Sequence, residues 1–138
     1  VGNGPLEERV KTYIEEKKLT KYIKILGSRN DTVELYQGMD AFFLPSFFEG
    51  LPVTGVEAQA MGLSMVVSDT VTREMVYTDL VDYVSLNDTP EAWASRLEIA
   101  LQKNVKREQY VDRLKLSNFS NIGCGNRLER VYCWWING

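Results

Sequence analysis

The chain alternates between stretches with helical spacing of apolar residues and short, continuously apolar runs. In LEERVKTYIEEKKL, residues 6–19, apolar side chains recur at the spacing of one helix face: Leu6, Val10, Tyr13 and Ile14. YIKIL, residues 22–26, follows as a predicted strand. DTVE, residues 31–34, is a candidate capping box that opens a short helix through Leu35 and Met39. We therefore expect a helix, a strand and a second helix in this first part of the chain.

Three further apolar runs have the composition of strands buried on both faces: AFFLP at 41–45, SMVVS at 64–68 and DYVSL at 82–86. A helix is predicted between the first two, from Val53 to Met61, with Gly62 ending it. Parallel strands need a crossover of about a dozen residues, which this order of elements supplies. The pattern predicts an α/β fold, a doubly wound parallel sheet with helices on both faces.

The two ends of the chain differ in character. Thr89 and Pro90 supply a cap and a first-turn proline for EAWASRLEIALQK, and the helical patterns REQYVDRLKL and NRLERVYCWWI follow, so the last third is predicted to be helical. VGNGP at the start reads as the last residue of a strand entering a glycine turn, and we expect a sheet truncated at its N-terminal strand. We interpret residues 1–138 as a single domain of a longer protein.

Charge and composition exclude several classes of function. The formal net charge is −3 and Lys and Arg form no long block, so the chain lacks the basic field that attracts nucleic acid. No apolar run approaches the length of a membrane span. We expect a cytoplasmic protein, and a membrane-surface role for the full-length form stays open. Histidine is absent, which excludes Ser-His and Cys-His nucleophile pairs within this chain.

The segment PSFFEGLPVT, residues 45–54, follows a predicted strand and leads into a predicted helix. In parallel α/β sheets, ligands bind at such loops, outside the carboxyl ends of the strands. Gly50 allows close approach of the backbone, and Pro52 can occupy the first helical turn without losing a donor. From Val53 onward, free N–H groups and the helix dipole favour an anion such as a phosphate.

Two carboxylates flank this predicted helix start. Glu49 lies in the loop and Glu57 about one turn inside the helix, too far apart along the axis to bind the same atom. Acceptors on both sides of a phosphate site suit a ligand with hydroxyls on both sides of its phosphates, as in a nucleotide sugar. Alternatively, both are ordinary solvated acids, with Glu57 favoured by the helix dipole. A glycosidase fits less well, because its paired carboxylates face each other across a cleft.

Longer motifs around these glutamates carry a family resemblance. GNGPLEE at 2–8 and ILGSRNDTVELYQGMDAFFLPSFFEGLPVTGVEAQAMGLSMVVSDT at 25–70 resemble the donor-binding domain of family 4 retaining glycosyltransferases, particularly the bacterial capsular and exopolysaccharide branch. The resemblance covers about residues 1–88 well. Its most specific part is E-x7-E after an apolar strand, with PS before it and EAQAMG after it.

The resemblance implies the C-terminal half of a two-domain GT-B enzyme that transfers a hexose, with retention, from a nucleoside diphosphate sugar to a glycan or lipid-linked acceptor. It implies that Glu49 is the catalytic residue, contacting the sugar hydroxyls, and that Glu57 holds the ribose. It also implies further donor-binding positions. Those near the sugar and phosphates are Gly50, Leu51, Pro52 and Val53. Those near the base are Ser28, Arg29 and Asn30, and those lining the cleft are Gly2 and Gly4. For Arg29, a solvated loop cation is the alternative interpretation.

The resemblance also implies the chemistry of the partners. No essential metal is expected, and a UDP-sugar is mildly favoured over a GDP-sugar. The Arg/Lys pair that family members use to neutralise the diphosphate, and their acceptor-binding domain, would precede this chain, so we expect it to be inactive alone. Two alternatives stay open, a non-enzymatic flavodoxin-like regulatory module and a nucleotide-sugar epimerase on the same scaffold. A phospho-receiver would need an aspartate where Pro45 and Ser46 follow the strand.

Overall fold

A computed structural model describes residues 1–121 and 123–125 of the chain, which divides into two compact units. The first unit is Val1–Leu35 and the second begins at Tyr36. Whether they act as the single domain that the sequence predicts stays a prediction. The helical pattern at 126–136 lies outside the described residues.

The first unit contains helix α1, Glu7–Glu16. Glu7 and Glu8 occupy the first turn, where the helix dipole favours negative charge, and Lys11 pairs with both at 2.8 and 2.7 Å. Of the predicted apolar face only Ile14 is buried, and the other members are exposed: Leu6, Val10 and Tyr13. The helix was correctly predicted, but its apolar face is largely exposed.

The strand predicted at residues 22–26 is wrong, because the structure places no strand there. The N–H groups of Tyr22 and Ile23 donate instead to the carbonyl oxygen of Leu19, at 2.8 and 2.9 Å, in a turn. A strand also needs a neighbour for its hydrogen-bond ladder, and residues 1–35, all of them described, contain no strand. The apolar pattern indicated residues that can form a strand, but it did not indicate whether a neighbouring strand is present to pair with them.

The second unit is built on a three-stranded, all-parallel sheet in the order β1-β2-β3. Its strands confirm the three predicted apolar runs: β1, Ala41–Leu44; β2, Ser64–Ser68; β3, Val81–Val84. Phe43 lies beside Val66 in the register, and Val66 lies beside Asp82. Every residue of β2 is buried. Because the strands are parallel, their carboxyl ends share one edge of the sheet, where the loops toward the next elements begin.

The described residues also contain the helices α2, Thr32–Gly38; α3, Val53–Ala60; α4, Pro90–Gln102; and α5, Glu108–Leu116, as well as a short 3-10 helix, Arg73–Met75. Met65 and Val67 of β2 belong to a core cluster with residues of α3, whereas Val66 packs with Trp93 and Ala100 of α4. Successive residues of a strand point to opposite faces, so α3 and α4 cover the two faces of the sheet. The doubly wound α/β arrangement is confirmed.

Gln59 anchors α3 from within the core. Its side chain is fully buried, and its Nε2 donates to the carbonyl oxygens of Gly55 and Met75 at 3.1 and 2.9 Å. Its Oε1 accepts from the N–H of Tyr77 at 3.2 Å and the hydroxyl of Thr78 at 2.9 Å. These four bonds use the full capacity of a side-chain amide, so α3 is fixed against the segment that follows β2.

Candidate functional site

The loop between β1 and α3 lies at the carboxyl edge of the sheet, as the sequence predicted. Pro52 is buried at the start of α3 with φ −71° and ψ 99°, and its carbonyl oxygen accepts from the N–H groups of Gly55 and Val56 at 2.9 and 3.3 Å. No side chain in the described part of the chain caps this helix end. The positive end of the helix dipole is therefore open to an anion.

Glu49 is held in this loop by a neighbouring hydroxyl. It is half-buried, and the hydroxyl of Ser46 donates to its Oε1 at 2.8 Å. An ionised carboxylate has about four acceptor positions, so this bond restrains the group and leaves it able to accept from other hydroxyls. The chemistry of Glu49 is that of an oriented acceptor just before the start of a helix.

Glu57 is exposed on α3 and is held by an aromatic hydroxyl. The hydroxyl of Tyr36 donates to its Oε2 at 3.0 Å. Tyr36 is only 7% exposed, and its burial, reinforced by the adjacent carboxylate, raises its pKa to about 12. At neutral pH the phenol therefore stays protonated and remains a donor to Glu57.

The residues between the two glutamates form an exposed loop and helix start. Leu51 is 48% exposed and Val53 is 62% exposed. A Cβ added to Gly50 would meet nothing within 4 Å, so the packing of the loop leaves open space at this position. Phe47 and Phe48 are also strongly exposed, which makes this an apolar rim next to the helix end.

The remaining predicted positions lie in the first unit, in two segments that one backbone hydrogen bond connects. Gly2 has φ +120°, a conformation that favours glycine, and its N–H donates to the carbonyl oxygen of Gly27 at 2.7 Å. This bond joins Gly2 to Gly27, which directly precedes the exposed residues 28–30. The predicted common cleft with Glu49 and Glu57 stays a prediction.

Arg29, between Ser28 and Asn30, makes an ion pair with its neighbour Asp31. Its Nε and Nη2 reach the two carboxylate oxygens of Asp31 at 2.7 and 2.5 Å, and both side chains are partly exposed. This bonding lowers the pKa of the Asp31 carboxyl. The guanidinium is thus oriented rather than free, and the carboxylate of the predicted capping box is used by Arg29.

The sequence did not identify several polar residues that hold the site. Tyr36 was interpreted as a core aromatic, and it is indeed in the core, but its hydroxyl reaches Glu57. Ser68 and Thr70, at the end of β2, both contact the carbonyl oxygen of Ser46. These contacts could not be seen in the sequence, because Ser68 and Thr70 are far from the loop along the chain. Only the parallel pairing of β1 with β2 could have indicated them.

Residues 1–121 and 123–125 contain no group of three or more His, Cys, Asp or Glu side chains arranged to hold a metal ion. Over the same residues, no helix has both the length and the apolar character needed to cross a membrane.

Comparison with known proteins gives a consistent set of matches. The protein family described as "Glycosyl transferases group 1" matches residues 1–116. The putative glycosyltransferase EpsF of Bacillus subtilis is 32% identical over 111 residues, which are 80% of this chain and 29% of that protein. A UDP-Gal:alpha-D-GlcNAc-diphosphoundecaprenol alpha-1,3-galactosyltransferase of Escherichia coli is 40% identical over 70 residues, or 50% of this chain and 18% of that protein.

Two more relatives extend the comparison. An N,N'-diacetylbacillosaminyl-diphospho-undecaprenol alpha-1,3-N-acetylgalactosaminyltransferase of Campylobacter jejuni is 53% identical over 47 residues, 34% of this chain and 12% of that protein. The crystal structure of WaaG, a glycosyltransferase involved in lipopolysaccharide biosynthesis, superposes with a TM-score of 0.67 at 15% identity. That match covers 88% of this chain and 33% of WaaG, and it shows a shared fold. The chain thus spans about a third or less of the length of these proteins.

Proposed function

Because the chain belongs to the group 1 glycosyl transferases, we propose that it is the donor-binding half of an enzyme that transfers a hexose from a nucleoside diphosphate sugar, with retention. The observation that carries the proposal is the pair of restrained carboxylates at the uncapped start of α3. Glu49 is held by Ser46 and Glu57 by Tyr36. The family match favours this activity over a regulatory receiver module or an epimerase.

In this proposal, each of the two carboxylates binds a different part of the ligand. Glu57 accepts hydrogen bonds from the ribose hydroxyls, and Glu49 accepts from the hydroxyls of the transferred hexose. The diphosphate lies between them, where the first N–H groups of α3, those of Val53 and Thr54, and the helix dipole face it. As the bond between sugar and phosphate breaks, negative charge builds on the leaving diphosphate, and this helix end stabilises it. Glu49 keeps the anomeric carbon in position for the acceptor.

The substrates proposed for the full-length protein follow its relatives. The Escherichia coli relative is named for UDP-Gal and a diphosphoundecaprenol-linked sugar, and the Campylobacter jejuni relative for a diphospho-undecaprenol-linked sugar. We propose a UDP-sugar donor and a glycan on a lipid diphosphate as acceptor, with no essential metal. Such an acceptor would place the full-length protein at the cytoplasmic membrane surface.

Substitution Glu49→Gln tests the sugar contact. The full-length protein should bind UDP with unchanged affinity, because Glu49 does not touch the nucleotide in this proposal. Its affinity for UDP-galactose or UDP-N-acetylgalactosamine should fall about fivefold, since a hydrogen bond to a charged acceptor is about 1 kcal/mol stronger than one to a neutral acceptor. Isothermal titration calorimetry with UDP and each UDP-sugar measures the difference.

Glu98→Gln is the matched control, because Glu98 is an exposed carboxylate on α4. It should change neither affinity. If Glu49→Gln weakens UDP as much as it weakens the UDP-sugars, the proposed division between sugar and nucleotide is wrong. If the unsubstituted protein binds neither UDP nor GDP nor any of their sugars, the proposed function itself is wrong.

Substitution Tyr36→Phe tests the support of the other carboxylate. The ring remains to fill the core, and only the hydroxyl that donates to Glu57 is lost. Without this donor Glu57 is less well oriented for the ribose, and we expect UDP and UDP-sugars to bind about 3- to 10-fold more weakly, equivalent to one hydrogen bond. The same calorimetric series measures it. Unchanged UDP affinity would mean that the hydroxyl has only a structural role.

A further inference from the structure

Two hydroxyls from the end of β2 meet the loop that carries Glu49. The hydroxyl of Ser68 donates to the carbonyl oxygen of Ser46, and the hydroxyl of Thr70 donates to the same oxygen at 2.8 Å. The two hydroxyl oxygens lie 3.1 Å apart. Ser46 lies two residues after Leu44, the last residue of β1, so its carbonyl lies beyond the ladder between β1 and β2. These two hydroxyls therefore continue the hydrogen bonding between the two chain segments beyond the end of the ladder.

This arrangement fixes the backbone of Ser46. A carbonyl oxygen has two lone pairs, and the two hydroxyls can use both of them. Ser68 is completely buried in the central strand of the sheet, so its own position is set by the core. The peptide that carries Ser46 is thereby tied to the rigid part of the unit, although the loop after it is exposed.

The restraint continues from Ser46 to Glu49 through one more bond. The hydroxyl of Ser46 donates to Oε1 of Glu49 at 2.8 Å. The direction of this hydroxyl depends on the backbone of Ser46, which the two hydroxyls of β2 hold. The end of β2 is therefore linked to the carboxylate by hydrogen bonds on both sides of Ser46, one set at its carbonyl oxygen and one at its hydroxyl.

We propose that Ser68 and Thr70 are positioning residues for Glu49, acting through Ser46. They touch no substrate, and they hold the carboxylate ready for the hexose before the donor arrives, which lowers the entropic cost of binding it. The proposal rests on the proposed contact of Glu49 with the sugar. Glu57 is held separately by Tyr36, so the restraint affects the sugar end of the ligand and leaves the nucleotide end unchanged.

Thr70 is the better residue to test, because it is exposed whereas Ser68 is buried in the core. Thr70→Val keeps the shape of the side chain and removes its hydroxyl. In the full-length protein, we expect UDP to bind as before and UDP-sugar affinity to fall about 3- to 10-fold, the equivalent of one hydrogen bond. Thr70→Ser, which keeps a hydroxyl at this position, should retain the affinity of the unsubstituted protein. Calorimetry with UDP and UDP-galactose or UDP-N-acetylgalactosamine gives these values.

Thr89→Val is the matched control. The hydroxyl of Thr89 caps α4 by accepting from the N–H of Ala92 at 3.3 Å, so its loss should lower the melting temperature without changing the advantage of UDP-sugar over UDP. If Thr70→Val keeps that advantage in full, or weakens UDP and UDP-sugar equally, the positioning role is overturned.

A second measurement separates this proposal from the proposed function. If the unsubstituted protein binds UDP-sugars no better than UDP, the sugar role of Glu49 fails, and NMR order parameters of the backbone amides at residues 46–50 then test the restraint directly. Lower order parameters at these amides in Thr70→Val, with unchanged values in Thr70→Ser, support the restraint. Equal order parameters in all three proteins overturn it.

Discussion

Replacing Glu57 with alanine is expected to weaken the binding of UDP and of UDP-sugars by the same factor, about 10- to 100-fold. In the proposed binding mode, the substitution removes a charged acceptor from the ribose, and hydrogen bonds to charged groups contribute about 1.5 to 3 kcal/mol. Because both ligands contain the ribose, the advantage of the UDP-sugar over UDP should stay constant. Calorimetry on the full-length protein with both ligands measures the two affinities.

Because Glu57 is exposed, its substitution should change ligand binding without disturbing the fold. The side chain lies on the outer face of α3, and alanine is a good helix former, so the fold should tolerate the change. Glu34→Ala, at an exposed glutamate of α2, is a suitable control and should leave both affinities unchanged. If Glu57→Ala reduces only the affinity for UDP-sugars, Glu57 contacts the hexose and not the ribose. No effect on either ligand would make Glu57 an ordinary solvated acid.

Replacing Gly62 with alanine is expected to lower the free energy of unfolding by about 2 to 5 kcal/mol. Gly62 follows α3 with φ +68°, a left-handed conformation that costs other residues about 1 to 2 kcal/mol. A Cβ at this position would also lie 2.8 Å from the Cα of Arg107, which must move to admit it. Forced movements of packed groups cost about 1 to 3 kcal/mol.

Displacing Arg107 would have a further effect, because its guanidinium donates to the carbonyl oxygens of Gln37 and Met39 at 3.2 and 2.6 Å. Urea denaturation followed by circular dichroism measures the loss of stability. Gly50→Ala is the control, since a Cβ there meets nothing within 4 Å, and it should change the stability by no more than about 1 kcal/mol. Equal losses at both glycines would contradict the conformation described for Gly62.

The parts of the fold that the sequence predicted are those specified by neighbouring residues. The apolar runs predicted β1, β2 and β3, and the pair Thr89–Pro90 predicted the start of α4, whose cap is confirmed by the bond from the N–H of Ala92. The strand at 22–26 failed because strand formation depends on a partner, which is a property of the whole fold. Local apolar composition cannot supply that information.

The candidate site shows the same limit. Glu49, Pro52 and Glu57 were identified from one short motif, because their placement depends only on a strand end and a helix start. Other residues that support the site come from elsewhere in the chain: Tyr36, whose hydroxyl holds Glu57, and Ser68 and Thr70, whose hydroxyls bind the carbonyl oxygen of Ser46. An aromatic residue is expected in the core from its apolar ring alone, so nothing in the sequence indicates where its hydroxyl points.

The parallel pairing of the sheet also determines when the site can form during folding. Ala41 pairs with Ser64, and the intervening residues include the whole of α3, so no local hairpin assembles these strands. The bonds from Ser68 and Thr70 to Ser46 can form only after β2 has docked. Until then the segment with Phe47 and Phe48 is an untethered apolar stretch on an incomplete sheet, the kind of surface through which folding intermediates aggregate. Slow docking of β2 would therefore reduce the yield of soluble protein during synthesis.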